Sequence, residues 1–224
     1  MFKIIKINYK LLFSNKVSLS YILIYCFLCG ALLPVFFADN YYTLIVVLIF
    51  SYSVQISPKL FALEKEENTF ETLLSSPIDM KSIYVGKSLY CFSVIMIMFY
   101  ASYIMTFIIS LFVSEFRSLF QIKECITSVI LLPMTVLTLA FHGAYISLKS
   151  NDSRACSLTM IFVSILYSII PITLFAVIPM DNIIFIILVF LYVLLNVFIY
   201  IFIWNKVKKY FNKSLVFLLL RRSI

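Results

Sequence analysis

The sequence contains little charge, few glycines and a single histidine, and each shortage excludes a class of protein. Charged residues make up 12% of the 224-residue chain, against about 25% in soluble domains, so a soluble globule is excluded. The three glycines, Gly30, Gly86 and Gly143, cannot form the phosphate loop G-x-x-x-x-G-K-[ST] of ATPases. His142 alone cannot provide the His and Glu cluster of a zinc hydrolase. We therefore expect no catalytic residue, metal site or bound cofactor in this chain.

Long apolar runs dominate the sequence instead. Hydrophobic residues make up 63% of the chain, and the mean hydropathy is +1.08. A transmembrane helix needs about 20 apolar residues to cross a hydrocarbon core of about 30 Å. The runs are continuous rather than alternating, which favours helices over membrane strands. The sequence predicts an all-α polytopic membrane protein, one domain over 1–224, with six transmembrane helices at Val17–Ala38, Tyr41–Leu63, Val85–Val113, Cys125–Leu148, Ala155–Ile178 and Ile183–Trp204.

Lysine and arginine are distributed unevenly between the two sides of these helices. If both termini lie on one side, that side receives sixteen of the 18 basic residues, and the other receives only Arg117 and Lys123. Because basic residues are retained in the cytoplasm during insertion, the pattern predicts cytoplasmic N- and C-termini. The net charge of +8 is then a topology signal and an attraction to anionic membrane lipids, rather than a nucleic-acid-binding surface.

The two ends of the chain lie outside the predicted membrane helices. Lys3, Lys6 and Lys10 recur on one helical stripe, which predicts an amphipathic interfacial helix over 1–16. A topology signal without a mechanical role is an equally open interpretation. The tail, 205–224, has only six consecutive apolar residues, Leu215 to Leu220, too few to span. We expect it in the cytoplasm, either along the inner membrane surface or disordered.

Cys26 and Cys29 have the C-x-x-C spacing that redox and metal pairs share. The chain has no second such pair and only one histidine to complete a site. We therefore interpret both cysteines as small buried hydrophobic residues.

Charge collects in the segment between the second and third predicted helices. Glu64, Glu67 and Glu71 recur at three and four residues, so on a continuous helix they would share one face. Asn68 stands three residues before Glu71, which predicts an N-cap and the start of a short helix. Pro77 would end that helix, because the residue before proline is displaced from helical geometry. The pattern predicts an amphipathic helix set crosswise between two membrane helices, with an apolar face of Phe70, Leu73 and Leu74.

This crosswise helix has two candidate surroundings. It can lie on the membrane with its apolar face toward lipid, but the cytoplasmic leaflet is anionic and attracts basic rather than acidic segments. An acidic segment with a small apolar face fits a groove on a basic protein better. We therefore expect this helix to bind a cytoplasmic partner.

Twelve residues of this region follow a recognisable order: acidic-basic-acidic, Thr-apolar-Glu, Leu-Leu, Pro-Ile and a later Gly-Lys. They are Glu64, Lys65, Glu66, Thr69, Phe70, Glu71, Leu73, Leu74, Pro77, Ile78, Gly86 and Lys87. The order resembles the signature of the ABC-2 type permease family, the membrane subunits of ATP-binding-cassette exporters. The family usually has glycine where this chain has Asn68, and asparagine is among the better non-glycine residues for a left-handed backbone. The six-helix plan extends the resemblance over the whole chain.

The resemblance implies the permease subunit of an exporter in a bacterial cytoplasmic membrane. The helix around 68–76 would be a coupling helix seated in a cleft of a separate ATPase subunit, which would bind ATP and Mg²⁺. A second copy of the chain, or a related permease, would complete the path. Family members often have short re-entrant helices at the outer end of the fifth span, which leaves two arrangements open for residues 171–182: a turn back or a straight crossing. The implied ATPase-coupling residues are Glu64, Glu67, Asn68, Thr69, Phe70, Glu71, Leu73, Leu74 and Pro77.

Polar residues within the predicted helices are candidates for a cargo path. Thr138, His142 and Tyr145 lie on one helical stripe, and Gln55 and Asn196 are further candidates. The alternative is hydrogen bonding between helices, with close packing at the neighbouring small residues Ala140, Gly143 and Ala144. A mainly apolar lining would suit an amphipathic or hydrophobic cargo, such as a peptide, a drug or a lipid-linked molecule.

Two other functions stay open on the sequence alone. A passive channel or scaffold would use the acidic loop to recruit an unrelated cytoplasmic partner. An integral-membrane enzyme is less favoured, because the sequence shows no nucleophile with a positioned base.

Overall fold

A computed structural model describes residues 16–36, 41–70, 79–113, 126–177 and 182–222. Within these ranges the chain is helical almost throughout and contains no strand, which confirms the predicted all-α class. Two π-helical turns, Leu28–Leu32 and Thr127–Leu131, each lead into a further helix. The helices are α1 (Lys16–Phe27), α2 (Leu33–Phe36), α3 (Tyr41–Ile56), α4 (Pro58–Glu66), α5 (Met80–Phe112), α6 (Leu132–Lys149), α7 (Ser153–Val177) and α8 (Asn182–Arg222).

Five helical stretches of the described chain are long and apolar enough to cross a membrane. They are Val46–Glu66, Met80–Phe112, Ser128–Lys149, Ser153–Thr173 and Ile183–Phe211, and they indicate a multi-pass membrane protein. They correspond to the second through sixth predicted spans. The first predicted span contains a shorter apolar helix, Ile22–Leu32. The predicted interfacial helix falls almost wholly on 1–15, outside the described residues.

Helix α6 lies at the centre of the fold and contacts α3, α4, α5, α7 and α8. Its small residues allow this crowding: Ala140 and Ala144 are fully buried. A Cβ added at Gly143 would overlap the Ser57 hydroxyl and lie 3.0 Å from Met160 Cε of α7. The close helix packing predicted at these small residues is confirmed.

The first π-helical turn packs against α5. Thr106 Oγ1 donates a 3.0 Å hydrogen bond to the Gly30 carbonyl, and a Cβ at Gly30 would lie 2.8 Å from Met105 Cβ. Cys26 and Cys29 are buried free thiols at this contact, and Cys26 Sγ donates to the Met98 carbonyl at 3.8 Å. The burial predicted for both cysteines is therefore confirmed.

The second predicted span is broken near its end. Proline has no N–H and its ring displaces the preceding turn, so α3 ends at Ile56 and α4 begins at Pro58. Ser147 of α6 supplies an acceptor to the first turn of α4. Its buried Oγ accepts hydrogen bonds from the N–H groups of Phe61 at 3.0 Å and Ala62 at 2.9 Å. The break is thereby tied to the central helix.

α7 agrees with the predicted fifth span to within two residues at each end, whereas α8 is longer than the predicted sixth span. α7 continues through Pro171 to Val177, so a turn back does not begin within the described part of 171–182. α8 continues through most of the predicted tail to Arg222, so the tail is helical over 205–222.

Candidate functional site

The chain leaves α4 through a tight turn. Asn68 has φ 56°, in the left-handed region. Its N–H donates to the Lys65 carbonyl at 3.2 Å, and the N–H of Thr69 donates to the Glu64 carbonyl at 2.9 Å. These two bonds form a Schellman motif, which ends a helix. The left-handed tolerance expected of Asn68 is confirmed, but its predicted role as an N-cap is wrong, because an N-cap has extended backbone and the next helical residue is Phe70.

Residues 64–70, here named the elbow, are attached to α5 by an ion pair. Lys87 of α5 is only 4% exposed, and its Nζ donates to the Glu64 carboxylate and to the Leu60 carbonyl. The same ammonium lies 4.4 Å from the centre of the Phe61 ring, within cation–π range. A buried lysine is costly without such partners, so Glu64 has a structural task inside the chain.

The next two residues attach the elbow to α6 and α7. Lys65 Nζ donates to the carbonyls of Leu148 and Ser150, the latter at 3.0 Å, at the C-terminal end of α6. Glu66 Oε1 accepts a 2.7 Å hydrogen bond from the N–H of Ser153, the first residue of α7. A cation at a helix C-terminus and an anion at a helix N-terminus both complement the helix dipole.

Asp152 completes the junction at the start of α7. Its Oδ1 accepts a 2.8 Å hydrogen bond from the N–H of Arg154. That backbone bond holds the pKa of Asp152 below its ordinary value. The carboxylate is therefore ionised at neutral pH, as a helix N-terminus favours.

An aromatic cluster centred on Tyr84 lies beneath the elbow. The Tyr84 hydroxyl donates a 2.6 Å hydrogen bond to the Phe141 carbonyl of α6. Its fully buried ring lies 6.4 Å from Phe61 of α4 and 6.2 Å from Phe211 of α8. Phe61 in turn meets Phe70 edge-on at 6.2 Å. The elbow, α5, α6 and α8 therefore share one packed unit.

The predicted coupling residues divide into three groups. Glu64 and Phe70 are partly buried and make contacts within the chain. Glu67, Asn68 and Thr69 are exposed at the outer edge of the turn. The remaining four, Glu71, Leu73, Leu74 and Pro77, lie outside the described residues.

Four of the five predicted cargo-path residues come together between α6, α7 and α8. Thr138 Oγ1 donates to Asn196 Oδ1 at 2.9 Å, and His142 Nδ1 lies 3.3 Å from the Tyr167 hydroxyl. His142, Tyr145 and Asn196 line a cleft of about 360 Å³. Gln55 is exposed on α3 and is not among the residues that line this cleft. The Thr138–Asn196 bond joins α6 to α8, so the hydrogen bonding between helices that was the alternative interpretation is present. The role of these residues as a cargo path stays a prediction.

The contacts of Lys65, Glu66 and Ser147 were not predicted from the sequence. The acidic-basic-acidic run was visible, but its partners are at least 23 residues away in the chain. Ser147 carried no local signal at all. Both features depend on which helices become neighbours.

Comparison with protein-family models, with curated proteins and with solved structures finds no match for this chain.

Proposed function

We propose that this chain is the permease subunit of an ATP-driven exporter. It moves an amphipathic or hydrophobic cargo, such as a peptide, a drug or a lipid-linked molecule, across a bacterial cytoplasmic membrane in which both of its termini are cytoplasmic. A separate ATPase subunit binds ATP and Mg²⁺. A second copy of the chain or a related permease completes the path, and the chain binds no nucleic acid.

The observation that carries this proposal is the attachment of the elbow. Three consecutive side chains, Glu64, Lys65 and Glu66, connect it to α5, α6 and α7 respectively. The turn at 67–69, within the same elbow, is exposed. A displacement applied to that turn is therefore passed to three membrane helices together, rather than absorbed by a loose loop.

This arrangement suits a transporter whose energy is supplied by a separate protein. The sequence has no phosphate loop, and within the described spans the buried charge at Lys87 is paired with Glu64 rather than placed in an ion pathway. A partner that contacts the elbow differently in two nucleotide states would bias the membrane helices between two arrangements. The cleft residues Thr138, His142, Tyr145 and Asn196 form the proposed cargo path.

Co-purification from the native host tests the proposal. We expect a mild detergent extract to retain an ATPase with this chain. Glu71→Lys, or Leu73→Asp with Leu74→Asp, should abolish cargo-stimulated ATP hydrolysis by the reconstituted complex while leaving membrane insertion intact. Glu115→Lys is the matched control, because it reverses the same charge in the loop predicted to lie on the opposite side of the membrane, and it should retain hydrolysis.

Two results would contradict the proposal. One is an extract from the native host in which no ATPase accompanies the chain. The other is cargo stimulation of ATP hydrolysis that the Glu71→Lys variant and the Leu73→Asp, Leu74→Asp variant leave unchanged. Either would favour a channel or a scaffold that recruits a different cytoplasmic partner.

A further inference from the structure

The cleft between α7 and α8 exists because these helices have different main partners. α7 packs chiefly against α3, whereas α8 packs chiefly against α6, and α7 and α8 touch each other little. His142 and Tyr145 of α6 form the floor. Leu166, Leu195 and Phe202 form the rim and are 65%, 43% and 55% exposed. In a membrane, this rim opens sideways toward the hydrocarbon.

The cleft is apolar along its length and positive at one end. Among the described residues that line it, none is acidic and one, Lys206, is basic. Lys206 is exposed and its ammonium lies 5.3 Å from the Phe202 ring centre. Trp204, two residues earlier, packs 6.5 Å from Tyr84, so Lys206 lies at the elbow end of the fold. Lys149 is exposed on the same helical stripe as Tyr145, one turn further toward that end.

The dimensions match one lipid chain. Tyr192 and Lys206 are fourteen residues apart on α8, or about 21 Å at 1.5 Å per residue. Half of a hydrocarbon core is about 15 Å thick, so a chain entering at Lys206 reaches the middle of the membrane within the cleft. The volume of about 360 Å³ falls in the range of small-molecule sites, about 300–1,000 Å³.

The buried hydroxyl of Tyr192 has no hydrogen-bond partner among the described residues. The neighbouring polar groups direct their own protons elsewhere: Thr135 Oγ1 toward the carbonyls of Leu131 and Leu132, and Asn196 Nδ2 to the Tyr192 carbonyl. An unpaired buried hydroxyl costs free energy. The inner end of the cleft is therefore less fully hydrogen-bonded than the rest of the described interior.

We propose that this cleft is a binding site for an anionic phospholipid, with one acyl chain between α7 and α8 and the phosphate at Lys206. This is the cleft that holds the proposed cargo-path residues His142, Tyr145 and Asn196, so the inference deepens that part of the proposed function. Its test needs neither an ATPase nor transport, so it can fail while the exporter proposal stands. A second copy of the chain is a poorer occupant, because a two-fold axis through the cleft would bring two Lys206 side chains together. A neutral lipid would pack against the apolar walls but would place no net negative charge beside the Lys206 ammonium.

Lipid binding to the purified full chain tests this site. The probes are phosphatidylglycerol and phosphatidylcholine with identical acyl chains, and native mass spectrometry measures the occupancy of each. We expect a preference of about five-fold for phosphatidylglycerol, since a lysine near an anionic headgroup contributes about 1 kcal/mol. Lys206→Gln should remove the preference. Lys209→Gln is the matched control: it removes the same charge from an exposed α8 residue that does not line the cleft, and it should keep the preference.

A second variant tests the cleft itself. Leu195→Trp places a larger side chain at the exposed rim, so the fold tolerates it, and it should lower the occupancy of both lipids. Equal binding of both lipids by the unaltered chain would overturn the proposal, as would equal effects of Lys206→Gln and Lys209→Gln. A lipid-independent dimer that Leu195→Trp dissociates would also overturn it, by identifying a second copy as the occupant.

Discussion

The ion pair beneath the elbow makes the most specific stability prediction. In Glu64→Leu, the Lys87 ammonium stays buried with the Leu60 carbonyl as its hydrogen-bond acceptor. Removing one partner of a fully buried pair costs about 3–5 kcal/mol. The Glu64 side chain is 28% exposed, so solvent screening reduces the expected cost to about 2–3 kcal/mol. In Lys87→Met, the carboxylate left behind can reach water, and we expect a loss of about 1 kcal/mol.

The double variant, Glu64→Leu with Lys87→Met, distinguishes a coupled pair from two independent residues. Both positions then carry apolar side chains and there is no buried charge to compensate, so the double variant should be more stable than Glu64→Leu alone. The expected coupling between the two sites is about 1–2 kcal/mol. A chain of this size shifts its Tm by about 2–4 °C per kcal/mol. The expected decreases are therefore about 4–12 °C for Glu64→Leu and about 2–4 °C for Lys87→Met.

Thermal unfolding of the detergent-purified chain, followed by loss of the monodisperse gel-filtration peak, measures these shifts. Glu67→Leu is the matched control, because Glu67 is an exposed neighbour on the same segment, and we expect a shift below about 2 °C for an exposed charge. A double variant whose Tm falls by the sum of the two single shifts would refute the reasoning. The Glu64–Lys87 contact would then contribute nothing as a pair.

Substitutions at three further positions, Gly143, Ser147 and Asn68, test the packing around α6 and the turn that ends α4, each by the same Tm measurement. Gly143→Ala should destabilise by about 1–3 kcal/mol, because its Cβ overlaps the hydroxyl of Ser57, between α3 and α4; an unchanged Tm would contradict the close approach. Ser147→Ala should cost about 1–3 kcal/mol, because two α4 amides lose their acceptor, whereas Ser164→Ala, whose hydroxyl bonds only within its own helix, should cost less. Asn68→Gly should keep or raise the Tm and Asn68→Val should lower it by the equivalent of about 1–2 kcal/mol, because φ is 56° there; the opposite order would exclude the left-handed turn.

Features set by length and local backbone chemistry were predictable from the sequence. Continuous apolar runs placed the helices now seen at Met80–Phe112 and Ser153–Val177 to within five residues at each end. The left-handed tolerance of Asn68 followed from its side chain alone. Small residues in an apolar helix indicated the close packing found at Gly143.

Features set by the choice of neighbouring helices were not predictable. Glu64 was assigned to an external partner, yet its carboxylate meets Lys87 of the next helix. Periodicity shows which residues share a face, but not which helix that face meets. The same limit hid Ser147, because an isolated serine in an apolar helix more often bonds to its own backbone, as Ser164 does.

Cross-linking from the elbow tests the central claim most directly. A photo-reactive amino acid at position 67, exposed next to the left-handed turn, should capture an ATPase subunit in membranes of the native host. The yield should differ between the nucleotide-free state and the ATP-bound state, because the partner then holds the elbow differently. Capture of lipid alone, or labelling of Glu67→Cys in intact cells by a reagent that cannot cross the membrane, would contradict the claim that a cytoplasmic ATPase moves these helices through the elbow.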